Sequence, residues 1–367
     1  MIHYFKILAH HSKSPKSYLV FGLWSLVFGL WSLVFGLFAG TAHAYDYSNG
    51  RFGMKLTGMG TAGALETLNT ANKDQYFVGD FRLRGQFNYA VRAGWTTGAV
   101  ISSDRLSWDT HNYLRDLFLF VESPYGRVEL GRTDSIASKL GLGLPDVGGL
   151  RLNDYTMIYD AIPPVGPVIA NTTVGGTRYA FRATMVSLPT NPLQYGFSFA
   201  PYSSYFKYAA DAGLKYRLPE GKTKVALSAG ASVILEPRGL ADEIYAMPDT
   251  SDWRAQVSGG LNVQYNSWNW ALSARGIYDQ NPIGIPSDGF AAGTGLSYDF
   301  LGFSASVSYL ASYTGVFHDG KNFLNHVGIL SGRYKISKYF DTWLSGGAVM
   351  TADGMTPFVS GGLRGTF

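Results

Sequence analysis

The sequence predicts an all-β fold: a transmembrane antiparallel β-barrel of about sixteen strands, with a long constriction loop folded into its lumen. Three observations point there. Charged residues make up 15% of the chain and aromatic residues another 15%, with 45 glycines; an ordinary soluble domain has roughly 25% charge. Segments with period-2 alternation recur from Tyr45 to Phe367, and hardly any stretch has helical periodicity. The links between them fall into two lengths, as turns and loops do at the two rims of an outer-membrane barrel.

The N-terminus gives the address. Lys6, Lys13 and Lys16 precede an apolar run from Tyr18 to Gly40, followed by Ala42-His43-Ala44. A basic segment, an apolar core and small residues make a secretory signal peptide, so residues 1–44 are expected to be removed after Ala44. The apolar core repeats: the seven residues at 19–25 return at 26–32 and, with Phe38 and Ala39 altered, at 33–39. Three copies reach the length of a bilayer span. An uncleaved anchor is therefore the alternative to a duplication that only lengthened the signal. Without residues 1–44, 27 basic residues face 26 acidic ones, a balance of +1, which gives no footing for nucleic acid. The chain has no cysteine, which excludes disulfides and zinc–thiolate sites and suits passage through an oxidising periplasm.

Strands are expected near 51–59, 76–89, 91–102, 115–123, 126–133, 176–187, 194–203, 208–218, 223–236, 253–266, 268–280, 289–299, 301–315, 324–337, 339–351 and 357–367. The clearest sets Phe77, Phe81, Leu83, Phe87 and Tyr89 on one face and Asp80, Arg82, Arg84, Gln86 and Asn88 on the other. Short links fall at 89–91, 123–126, 266–268, 299–302 and 337–339. Longer ones fall near 60–75, 103–114, 134–175, 237–252, 281–288 and 316–323. An even strand count returns both chain ends to one rim, and closure leaves no sheet edge. Tyr89, Trp95, Tyr265, Trp268, Phe300 and Tyr334 crowd the short links, as interfacial girdles do. In 115–123 and 339–351 both faces are similarly apolar, and the lumen side cannot be assigned.

An arginine or lysine facing mid-membrane lipid costs on the order of 2–4 kcal/mol, so the charged faces point into water. That puts Lys55, Arg82, Arg84, Arg92, Arg178 and Arg182 in the channel, with Arg254, Arg275 and Arg364 further round. The acids on that face are fewer: Asp80, Asp211 and Glu129. The stretch from Thr133 to Gly176, with Pro145, Pro163, Pro164 and Pro167, breaks strand and helix alike. Its Leu140, Leu144, Ile158 and Ile162 make it too apolar for a linker. Folded inward, this loop of about 134–175 would hold Asp146, Asp154 and Asp160 across from Arg82, Arg84, Arg178 and Arg182. Opposed charges create a transverse field that orients dipolar solutes and sorts ions by sign. The alternative is that such charges are ion pairs tying the loop to the wall. The basic surplus favours anions weakly.

These residues resemble the general diffusion porins of Gram-negative outer membranes. The sharpest local match is Tyr125-Gly126-Arg127-Val128-Glu129-Leu130-Gly131-Arg132 ahead of the long loop. The last strand, ending in Phe367, is similar to the C-terminal signal read by the barrel-assembly machinery, although Gly365 replaces the usual bulky residue. The resemblance implies a homotrimer of sixteen-stranded barrels among outer-membrane lipids. Small hydrophilic solutes and ions would pass passively, with no cofactor, metal or catalytic residue.

Three rivals stand beside it. An outer-membrane lipase needs a histidine beside a serine; outside the signal only His111, His318 and His326 are present, with His326 the candidate to face lipid. A substrate-specific channel would add a binding track, for which Tyr155, Tyr159, Tyr202 and Tyr205 are candidates. A soluble secreted β-protein would need no detergent.

Overall fold

The computed structural model describes residues 45–68, 75–106, 114–145, 147–148, 158, 162, 168–174, 180–201, 206–218, 221–236, 244–245, 252–280, 286–316 and 321–367. The strands in chain order are β1 (Tyr45–Asn49), β2 (Phe52–Thr67), β3 (Gln75–Arg92), β4 (Trp95–Leu106), β5 (Leu114–Ser123), β6 (Gly126–Arg132), β7 (Val168–Ile169), β8 (Phe181–Val186), β9 (Leu193–Ala200), β10 (Tyr208–Arg217), β11 (Thr223–Leu235), β12 (Ile244–Tyr245), β13 (Trp253–Tyr265), β14 (Trp268–Gln280), β15 (Pro286–Phe300), β16 (Phe303–Val316), β17 (Lys321–Lys335), β18 (Phe340–Thr351) and β19 (Gly354–Thr366). A short helix, α1 (Ile136–Leu140), lies between β6 and β7.

Sixteen strands, β2–β6, β8–β11 and β13–β19, pair antiparallel with their neighbours, and β19 pairs with β2 to close the sheet into a barrel. Closure satisfies every edge, which a sheet in hydrocarbon requires. β14 shows why the sequence folds this way. Ala271, Ser273, Arg275, Ile277 and Asp279 are buried on its inner face, while Trp268, Trp270, Leu272 and Tyr278 are exposed outside. Period-2 alternation sends polar groups to the lumen and apolar groups to lipid. Close to one rim the outward rings gather, with Trp268 and Tyr298 centred 4.4 Å apart. The turns at that rim are short: 93–94, 124–125, 266–267, 301–302 and 336–339. Gly94 and Gly302 take the left-handed conformation there (φ +75° and +86°), which glycine adopts at no steric penalty.

Several boundaries differ from expectation. β2 runs to Thr67, through residues assigned to a loop, because Gly60, Ala62 and Ala64 are too small to make an apolar stripe legible. The β3–β4 hairpin turns at 93–94 rather than 89–91, and a bulge between Ala90 and Arg92 shifts the register beside it. β1 was not anticipated. It pairs with β2 on the edge that β19 also uses, Tyr45 facing Leu56 while Thr366 faces Met59.

Candidate functional site: the lumen and the segment on its wall

The segment after β6 turns inward at once. Ser135 caps α1, its hydroxyl accepting the Ser138 N–H at 3.2 Å, so five residues hold a helical turn that no periodicity announces. Ile136, Ala137 and Leu140 are buried on the inner faces of β9, β10 and β11. The chain then follows the wall, and wall serines take up its backbone donors. Ser198 accepts the Ile136 N–H at 3.2 Å, Ser228 that of Leu142 at 3.0 Å, and Ser312 that of Ile169 at 2.8 Å. The returning leg is held by Arg275, which donates to Asn171 and, at 2.6 Å, to Gln256. At Val168–Ile169 it pairs with β12. Leu144, Ile158, Ile162, Ile169 and Ala170 form one buried cluster with Leu65, Ile277, Leu310, Ile329, Trp343 and Phe358 of the wall. On the β14–β19 side the barrel therefore contains a packed apolar core.

The opposite side is open and charged. A cavity of about 730 Å³ is bounded by β2–β6, β8–β10 and α1. Its wall includes Arg82, Arg84, Arg115, Arg127, Lys139, Lys215 and Arg217, against Asp116, Glu122, Glu129 and Asp134. Arg82 donates to Asp80 at 3.0 Å, and Arg84 lies 3.8 Å from Asp116. Arg127 pairs with Glu129 at 3.0 Å and stacks over Phe120, 3.8 Å from the ring centroid, a geometry that fixes a guanidinium in place. Two ion pairs tie the segment to the wall: Arg115–Asp134 at 2.8 Å, and Lys139–Glu129. Burial holds the Lys139 ammonium below its usual pKa, with Glu129 opposing that shift.

The expected site residues separate into groups. Arg82 and Arg84 line the cavity, and Lys55 lies on the inner face of β2 opposite Gln86. Arg182 does not line water. It is fully buried beside α1, donating to Asp211 at 3.0 Å and reaching Ser198 at 3.5 Å, because the segment folds over it. Arg92 also departs from expectation: the bulge at Val91 turns it to the side of Trp95, over whose ring it sits at 4.7 Å. Arg178, Asp146, Asp154 and Asp160 lie outside the described residues, as do Tyr155, Tyr159, Tyr202, Tyr205, His111, His318 and the leader at 1–44. His326 faces outward and bonds Tyr309 at 2.5 Å. Arg115, Lys139 and the Phe118–Phe120 pair were missed. The similar faces of 115–123 were their only trace, since the inner face is apolar where cations stack on it.

A closed sixteen-stranded barrel with an apolar exterior, and a polar passage inside, defines an outer-membrane channel. Residues 30–353 match the family model described as Gram-negative porin, and the chain belongs to that family. It forms an outer-membrane diffusion channel. Among solved structures, it is similar to the anion-selective porin from Comamonas acidovorans at 11% identity and TM-score 0.63, covering 86% of this chain and all of that one. It is similar to the OmpT outer membrane protein of Vibrio cholerae in a trimer form, at 11% identity and TM-score 0.64, with the same coverage. The outer membrane channel DcaP of Acinetobacter baumannii gives 14% identity and TM-score 0.61, covering 89% of this chain and all of that one. No curated protein matches the sequence significantly.

Proposed function

We propose that the chain is a general, non-enzymatic porin through which ions and small hydrophilic solutes diffuse down their gradients, with a weak preference for anions. The single observation behind the ion preference is the cavity wall, where seven cations face four carboxylates among the described residues. Charge of one sign along a narrow aqueous path raises the local concentration of the opposite ion. The segment that begins at Thr133 acts as the constriction, confining flow to the charged side.

The finer assignments follow the same reading. The working form is a homotrimer, a state in which the similar OmpT protein of Vibrio cholerae has been solved. Cleavage falls after Ala44, which frees Tyr45 where β1 takes up the edge of β2 that β19 leaves. Phe367 closes the strand that the barrel-assembly machinery reads.

The test is single-channel conductance of the detergent-purified mature protein in a planar bilayer across a salt gradient. The expected record closes in three steps, rises linearly with salt, and reverses at a potential of anion sign. A reversal of cation sign overturns the ion preference, and saturable block by one solute overturns the general channel.

A further inference from the structure

The glycines beneath the constriction segment form a track. Gly196, Gly213 and Gly230 face one another directly across β9, β10 and β11. One inward position further along, Gly260 and Gly293 flank Ser273 across β13, β14 and β15. A Cβ added to Gly213 would lie 2.8 Å from the Ile136 carbonyl oxygen. On Gly260 it would lie 2.7 Å from that of Leu142, and on Gly293 2.6 Å from a Leu144 methyl. The lengths agree. Five strand steps from β9 to β15 span about 24 Å of wall. One helical turn and five further residues at extended spacing, from Ile136 to Pro145, supply about 22 Å on the shorter, concave side. Gly259, beside Gly260 but facing outward, has its nearest neighbour at 3.8 Å. Crowding by the segment is confined to the inner face.

We propose that this track, with the serine hydroxyls beside it, sets the bore of the channel. It fixes how deep the segment sits, and so how far Lys139 and Leu140 stand into the passage. The residues that determine conductance then include glycines that never touch a permeating ion. This rests on the constriction reading above. Gly213 and Gly260 do not have left-handed backbone, so alanine is opposed there by space and not by conformation. Close packing turns each clash into an inward step of about 1 Å.

The experiment compares Gly213→Ala, Gly260→Ala and Gly259→Ala, each checked for a barrel that stays folded in detergent and shifts on heating. Single-channel conductance is expected to fall by roughly a tenth to a third in the first two, as a narrowed pore requires, and to stay unchanged in Gly259→Ala. A second arm does not depend on how those variants fold. The chain has no cysteine, and a Cβ on Gly230 lies 3.2 Å from the Ala137 Cβ, close to the separation of about 3.5–4.5 Å that a disulfide spans. Ala137→Cys with Gly230→Cys is expected to oxidise fully, because the two positions touch. Thiols that stay free overturn the docking itself. A disulfide that forms while both inward alanine variants conduct normally also overturns the proposal, and puts the fault in the constriction reading.

Discussion

The two sides of the inner wall differ in balance, with most of the large buried apolar cluster on β14–β19 beside Arg275, Asp279 and a row of serines. Across β14–β19 the buried inward residues include Ile277, Leu310, Ile329, Trp343, Val349 and Phe358; across β3–β10 they include Asp80, Asp116, Glu129, Arg182, Gln194 and Asp211. Both sets are on the lumen side of one sheet. What differs is the neighbour. The first meets the folded-in segment and behaves as a protein core, where burying a large side chain stabilises by about 1.5–3 kcal/mol. The second meets water, a partner charge or, over β8–β10, the start of the same segment. Inside a barrel, the polarity of an inward residue reports what it touches, and an apolar patch there marks where the chain packs against itself.

That contrast can be broken from either side. Trp343→Ala removes a buried indole from the apolar side and is expected to destabilise the barrel by about 3–5 kcal/mol, read as a lower guanidinium midpoint at unchanged slope. A loss below about 1 kcal/mol would mean that water fills the space freely and that this side is not a core. On the polar side the expected penalty arises from charge. Asp211→Asn takes away the carboxylate to which the buried Arg182 guanidinium donates. The cost should be about 3 kcal/mol, the lower end for a broken buried pair. Because Ser198 donates to Asp211 and also accepts the Ile136 N–H, the same variant should add noise to the open-channel current. A quiet channel of unchanged stability would show that the pair does not support the segment.

The barrel was legible because alternation is a local property. The strand from Gln75 to Arg92 and the strand from Trp253 to Tyr265 show their faces in their own residues, and hydrogen-bond closure does the rest. The inner architecture was less legible because it depends on contacts distant in sequence. Trp343 and Val349 made 339–351 look apolar on both faces, and nothing nearby says that Ile158, Ile162 and Leu144 fill the space in front of them. Arg182 reads as a pore cation until α1 is seen to lie beside it. Arg92 lost its lumen place to a single extra residue, since one slip in register moves a side chain to the other face.

Lys139 brings a charge of the folded-in segment to the polar side, and its titration gives the finest test. Its pKa is lowered from the usual 10.5, chiefly by burial, with Glu129 pulling the other way. The sign follows. A lysine whose folded pKa is depressed penalises the folded state wherever it is protonated. That penalty is fully present below the folded pKa and disappears as pH rises toward 10.5, so stability rises through that window. The lumen loses the Lys139 charge over the same window. Anion preference should therefore drop in a step at a pH below 10.5, and Lys139→Arg, which stays charged, should shrink that step, leaving only the share of Lys215 on the same cavity wall. Glu129→Gln removes the opposing carboxylate and should move the step to lower pH. A step that stays in place without Glu129 would detach Lys139 from the wall and assign its shift to burial alone.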